Sequence, residues 1–302
     1  MHAELLKPRK ERAWGWPAVA NFVLGGSGAG LYLIVSFTLF AGPESFSRLL
    51  PGPVSLLPAA LVGLGFFAVS LESGRPWRGT YLLSNLRNSW MSIEILSGAI
   101  FIAAAALDHF FSLPVLKVAA ACAALELVIS HGFIIYRARA MSAWNVPIIP
   151  FLFLSSGLVL GGGVLFTISS LQRSMIHAGV ISAVLVCLIA DFTAWGLYIW
   201  LPRNMHFRKA TAYLRRPLPL FSVMGLGHLL PLILLTWLAA TAGESADDGI
   251  RHLGIALAGF CMLAGGAAQK IVVLLGANFL RGVTMGARGD NLLREKSHIG
   301  KI

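Results

Sequence analysis

Apolar positions fall in eight long runs separated by short polar links. The runs cover about 14–40, 54–72, 89–108, 114–136, 146–170, 177–200, 218–241 and 252–276. Each holds about 19–27 residues, against the roughly 20 that a helix needs to cross hydrocarbon. The runs are continuous rather than alternating, which excludes barrel strands. In lipid a continuous run must form a helix, because only a helix pairs its own backbone groups. Pro43, Pro51, Pro53, Pro76, Pro114, Pro202 and Pro217 punctuate the links. The expected fold is an all-α integral membrane protein, a bundle of eight transmembrane helices over 14–276. A polar segment, 1–13, precedes it and a polar tail, 277–302, follows.

Composition agrees with that pattern. Of 302 residues, 57% are hydrophobic and only 12% charged, with a mean hydropathy of +0.76. A globule of this size has no core large enough for so much apolar surface, whereas a bilayer accepts it. The first run is too long for a signal peptide and no small-residue cleavage site closes it, so it reads as a retained helix. The net charge is +11, and twenty of the 24 lysines and arginines lie on the side of the two termini. Arg48, Lys117, Arg173 and Arg251 are on the other. The positive-inside rule then puts both termini in the cytoplasm of a bacterial or archaeal inner membrane. It also accounts for the basic pI without nucleic acid. Cys122, Cys187 and Cys261 each stand alone in an apolar run. With no CxxC, no iron–sulfur cluster is expected in this chain.

Ionisable groups inside a bilayer are costly, which makes each a functional candidate. With helices alternating in direction, Asn21, Glu72, Glu94, Glu126, His131, Asp191, His228, Gln269 and Lys270 fall mostly within about 15 Å of the terminal face at ~1.5 Å per residue. Asp108, His109 and His177 lie at the opposite helix ends and read as solvated termini. The asymmetry points to one polar pocket opening toward the inner face, with interhelical ion pairs as the plainer alternative. Glu126 and His131 are five apart, so they face different neighbours. Glu94, Glu126, His131, Asp191 and His228 suit a proton relay. The glycine patches 25–30, 161–163 and 265–266 suit close helix packing, or close approach to a flat ligand.

Two segments carry a family likeness. One is Trp14-Gly15-Trp16-Pro17 with Asn21-Phe22-Val23-Leu24-Gly25-Gly26-Ser27-Gly28-Ala29-Gly30. The other is Leu71-Glu72-Ser73-Gly74-Arg75-Pro76-Trp77-Arg78 followed by Asn85-Leu86-Arg87-Asn88-Ser89-Trp90-Met91-Ser92-Ile93-Glu94. Together they resemble the NrfD/PsrC (polysulfide reductase membrane subunit) family and the related membrane anchor of dimethyl sulfoxide reductase. Where those anchors carry a histidine, this chain has Glu72. The resemblance implies a three-chain oxidoreductase complex. In such a complex a molybdenum or tungsten pterin subunit works on the substrate, and a ferredoxin-like iron–sulfur subunit carries electrons. The membrane subunit exchanges them with menaquinone or ubiquinone. It also implies a quinone site at Asn21, Glu72 and Arg75. The basic terminal face, which holds the Gly74-Arg75-Pro76 loop, puts the partners on the cytoplasmic side. That allows substrates that stay in the cell, such as the acyl-CoA thioesters of an acyl-CoA:acceptor oxidoreductase. The other readings are a haem b cytochrome subunit with His131 and His228 as ligands, a secondary transporter, and a lipid transferase.

Overall fold

In a computed structural model of the chain, residues 4–6, 14–37, 48–72, 89–174, 176–200, 205–241, 248–277 and 283–284 are described. Among them are eight helices long and apolar enough to cross a membrane. They are α1 (Trp16–Phe37), α2 (Leu57–Glu72, led in by a 3-10 turn Gly52–Leu56), α3 (Trp90–Phe111) and α4 (Pro114–Tyr136). Then come α5 (Ile149–Leu171), α6 (Ala178–Trp200), α7 (Pro217–Ala240) and α8 (Gly249–Gly276). The boundaries follow the apolar runs closely, and α4 starts at Pro114, where proline is tolerated in a first turn. The short strands Glu4–Leu6 and Val283–Thr284 pair antiparallel, so the segments before α1 and after α8 meet on one side, as an even helix count requires.

Local chemistry sets the ends. Ser89 has extended backbone, and its hydroxyl accepts the Ser92 N–H at 3.4 Å, which caps α3. The α3–α4 hairpin turns at Ser112, held at φ 49° with its N–H on the Asp108 carbonyl. Lys117 Nζ then reaches Asp108 Oδ1 at 2.5 Å and closes the hairpin. Asp108 is only 5% exposed, so it is a buried ion-pair partner rather than the solvated terminus its position suggested. His109 is hydrogen-bonded to Ser55 at 2.7 Å. On the terminal side, Arg215 donates to the Ile199 carbonyl at the end of α6 and to Thr211 Oγ1. Partial burial, then the neighbouring Arg208, lower its pKa from the ordinary guanidinium value.

Helix packing runs through α1 and α5, the two most enclosed spans. A Cβ on Gly161 would overlap the backbone of Gly30 and Leu31, and one on Gly30 would overlap Gly157. Gly227 and Gly265 make the same kind of approach between α7 and α8. Small residues let backbones meet where lipid supplies no hydrophobic drive for association. Pro231 lacks the N–H that would bond one turn back. The preceding stretch, Phe221–Leu229, is wound as a π-helix.

The side chains sort into two apolar cores. One holds Val62, Phe101, Leu127, Val159, Leu188, Leu235 and Met262. The other, toward the termini, holds Phe22, Ile135, Phe153, Trp195, Val223 and Val273. Between them, on seven of the eight helices, lies one polar layer. Asn21, Glu94, His131, Ser155, Ser156, Asp191, His228, Gln269 and Lys270 are each buried there.

Candidate functional site

Two clusters make up the polar layer, one on each side of α1. The first joins α1, α3 and α4. Asn21 Nδ2 donates to Glu94 Oε1 at 2.7 Å, and His131 Nε2 lies 3.1 Å from the same oxygen. That contact is at ion-pair range, although the imidazole is not oriented for a hydrogen bond. Asn21 Oδ1 and both ring nitrogens of His131 have no hydrogen-bond partner among the described residues. The Phe22 ring packs edge-on against His131 at 4.8 Å. Glycines make room: a Cβ on Gly25 would come 3.0 Å from His131 Cε1, and one on Gly65 of α2 would come 3.0 Å from Asn21 Oδ1.

A cavity of about 180 Å³ opens beside Asn21 and Glu94, with Trp14, Phe22, Val69 and Met91 as apolar walls. Trp14 stacks on Phe22 at 5.3 Å. Trp14, Met91 and Ile134 are shared with a second cavity of about 380 Å³, whose rim carries Trp90, Arg137 and Arg139. Trp90 stacks on Phe133 at 4.3 Å, which fixes the head of α3. The first cavity therefore lies one side chain away from a basic mouth on the terminal face. Buried polar atoms without partners beside a mostly apolar cavity are the features of a site for a flat, carbonyl-bearing ligand. The unpaired Asn21 Oδ1 would accept from a ligand hydroxyl, and the second hydrogen on Asn21 Nδ2 would serve a carbonyl oxygen. Glu94 would hold or release a proton, while His131 contacts Glu94 and is not on the cavity lining.

The second cluster joins α5, α6, α7 and α8. Asp191 Oδ1 accepts from Ser155 at 2.7 Å and from Gln269 at 3.2 Å, while Oδ2 faces His228 Nε2 at 3.0 Å. His228 Nδ1 meets the Val223 carbonyl at 2.7 Å, within the π-helical stretch. A carbonyl only accepts, so Nδ1 carries the hydrogen. Lys270 Nζ bonds Ser156 Oγ at 2.9 Å and sits 4.5 Å over the Phe153 ring.

The structure thus brings together Asn21, Glu94 and His131, and separately Asp191 and His228. Glu126 joins neither cluster. It is half-buried on α4 beside exposed Cys122 and Leu125, with no polar partner among the described residues. Glu72 ends α2, but its side chain lies outside the described residues, and so does Arg75. Sequence reasoning put Glu94 in a relay, whereas it stands at the centre of the first cluster. Its place five residues after the capping Ser89 was the available signal. Lys270, placed by the sequence near the inner end of the last run, is 1% exposed inside the bundle.

Comparisons with known proteins place the protein in a family. A family model described as "DMSO reductase anchor subunit (DmsC)" matches residues 11–210. Over 85 residues the sequence is 36% identical to the C subunit of the anaerobic dimethyl sulfoxide reductase of Haemophilus influenzae. That stretch is 28% of this protein and 30% of that subunit's length. The family match covers α1 to α6, and so includes the Asn21–Glu94–His131 cluster and its cavity. The protein belongs to the DMSO reductase anchor subunit (DmsC) family.

Proposed function

We propose that the protein is the quinone-reactive membrane anchor of a molybdenum or tungsten pterin oxidoreductase. Its quinone head group would bind at Asn21 and Glu94, with His131 in contact with Glu94. The observation that carries this reading is the cavity beside Glu94. It has apolar walls for a ring, an uncommitted acceptor in Asn21 Oδ1 for a quinol hydroxyl, and a basic mouth one side chain away. Quinol oxidation would send two electrons to the iron–sulfur partner and two protons to the pocket and water, and quinone reduction would run the same exchange in reverse. In the oxidation Glu94 accepts a proton from the head group, and Asn21 orients it. Glu72 and Arg75 remain proposed contacts on the α2 side. Asp191 and His228 belong to a separate proton-holding cluster rather than to the pocket wall.

The haem reading fits less well. His228 has a partner on each ring nitrogen, so ligation would break a buried network. Partner docking on the basic terminal face is supported by Arg137 and Arg139 at the mouth, which suit an acidic ferredoxin-like subunit. The likeness to the C subunit of the Haemophilus influenzae dimethyl sulfoxide reductase favours a sulfoxide as the primary substrate. The cytoplasmic orientation favours an acyl-CoA thioester. Identification of the co-purifying pterin subunit, with its molybdenum or tungsten content, decides between them. Labelling of the termini in oriented vesicles tests the orientation.

Glu94→Gln tests the site. It keeps the shape and removes the charge-assisted contact, worth about 1.5–3 kcal/mol. Quinol-dependent turnover of the assembled complex should fall about 10- to 100-fold. Dye-dependent turnover, which bypasses the membrane subunit, should be unchanged. Wild-type quinol turnover in E94Q would remove the pocket from the mechanism.

A further inference from the structure

Lys270 is a buried amine that the pocket does not use. It is 1% exposed, and its amino group has one hydrogen-bond partner, Ser156 Oγ, and one ring, Phe153. No carboxylate lies within ion-pair range of it among the described residues. Asp191, the nearest acidic group in its cluster, already takes Ser155, Gln269 and His228. Asp191 acts on Lys270 only from beyond ion-pair range.

The glycine seam of α1 connects this amine to the pocket. A Cβ on Gly26 would sit 3.6 Å from Lys270 Nζ, while one on Gly25 would sit 3.4 Å from His131 Nε2. Adjacent Cα atoms are about 3.8 Å apart, so the two nitrogens lie within about 14 Å across a single helix. Between them are the Phe22 and Phe153 rings, in edge contact at 5.6 Å, and no water-facing surface. Screening over such a path is weak.

We propose that Lys270 is a positioning residue for the quinone pocket, acting through Gly25–Gly26 to favour negative charge at Glu94 and the head-group oxygens during turnover. This rests on the quinone reading above. The groups facing Lys270 are Ser156 and Phe153 from α5, Gly26 from α1 and, further off, Asp191 from α6. Gln269 adjoins it on its own helix, and His228 of α7 reaches it only through Asp191. The ammonium form of Lys270 at this range, in a medium of effective dielectric about 20, changes a rate roughly five- to tenfold.

The experiment compares Lys270→Met, Lys270→Gln and Lys270→Arg in membranes carrying the assembled complex, with a short-chain quinol as donor. K270M and K270Q should each lower kcat roughly five- to tenfold, with KM within about twofold. Both should move the rising limb of the pH–rate profile to higher pH, and K270R should restore both readouts. Ser156→Ala controls for structure: it loosens the amine but leaves its charge, so its profile should stay in place. The proposal is overturned if either neutral variant keeps the wild-type rate and profile, or if K270R is as slow as K270M. Failure of the pocket reading looks different, because E94Q would then turn over normally whatever happens at Lys270.

Discussion

Replacing Asp191 separates the need for a charge from the need for an acceptor. In wild type the carboxylate meets three donors in a site that is 0% exposed. Asp191→Asn has a satisfied arrangement available. Its Oδ1 still accepts from Ser155 and Gln269, and its Nδ2 donates to Nε2 of a neutral His228, whose hydrogen is already on Nδ1. Asp191→Ala has none. Ser155 keeps its second acceptor, the Leu152 carbonyl at 3.2 Å, but Gln269 Nε2 and His228 Nε2 lose theirs. Two orphaned buried groups cost about 1–3 kcal/mol each, and the emptied volume adds to that. D191A should therefore lose on the order of 3–6 kcal/mol, and D191N about 1 kcal/mol. In detergent, the thermal midpoint for loss of monodisperse protein should drop on the order of 10 °C for D191A and only about 2–4 °C for D191N. If D191N falls as far as D191A, the charge itself is required and the acceptor argument is wrong. If D191A matches wild type, the cluster does not hold the second half of the bundle together.

Two further outcomes follow from the packing. Gly161→Leu should force α1 and α5 apart by on the order of 1 Å or more and cost about 1–3 kcal/mol. Lower accumulation of the protein in membranes, with quinol turnover per assembled complex also reduced, would check this, and normal values for both would refute it. Lys117→Met should strand the buried Asp108 carboxylate and destabilise the α3–α4 hairpin by about 3–5 kcal/mol. Lys117→Met with Asp108→Leu should recover most of that loss, read as the thermal midpoint of the single and double variants. A double variant no better than the single one would refute the ion pair as the cause.

Eight spans were legible because lipid leaves a long apolar run no other structure, and α4 matches its run residue for residue. The depth of Asn21, Glu94, His131, Asp191 and His228 was legible for the same reason, since depth follows from counting along a helix. Which of them meet was not, because that depends on the order of the helices around α1. Nothing in the spacing says that α3 and α4 share one side of α1 while α8 sits behind Gly26. Asp108 reads from the sequence as a solvated terminus, and Lys270 reads both as an intramembrane group and as part of the basic terminal side. Both lie near run ends, where a sequence shows only distance from the polar link, and in both cases neighbouring helices extend past them and close over the charge. Glu94 was visible but assigned a minor part, because the Asn21 and His131 side chains that give it its role come from other helices.

The polar layer between the two apolar cores has an electrical consequence. Glu94, His131 and Lys270, on opposite sides of α1, lie at similar depth in it, about 6–9 Å from the helix ends on the terminal face. A membrane voltage of 100 mV acts on a unit charge with about 2.3 kcal/mol, but only for displacement along the membrane normal. Charge that shifts sideways within this stratum, from one side of α1 to the other, does almost no work against that field. An energised cell would leave such transfers as fast as a de-energised one. Voltage would bear only on the shorter step between the stratum and the terminal face.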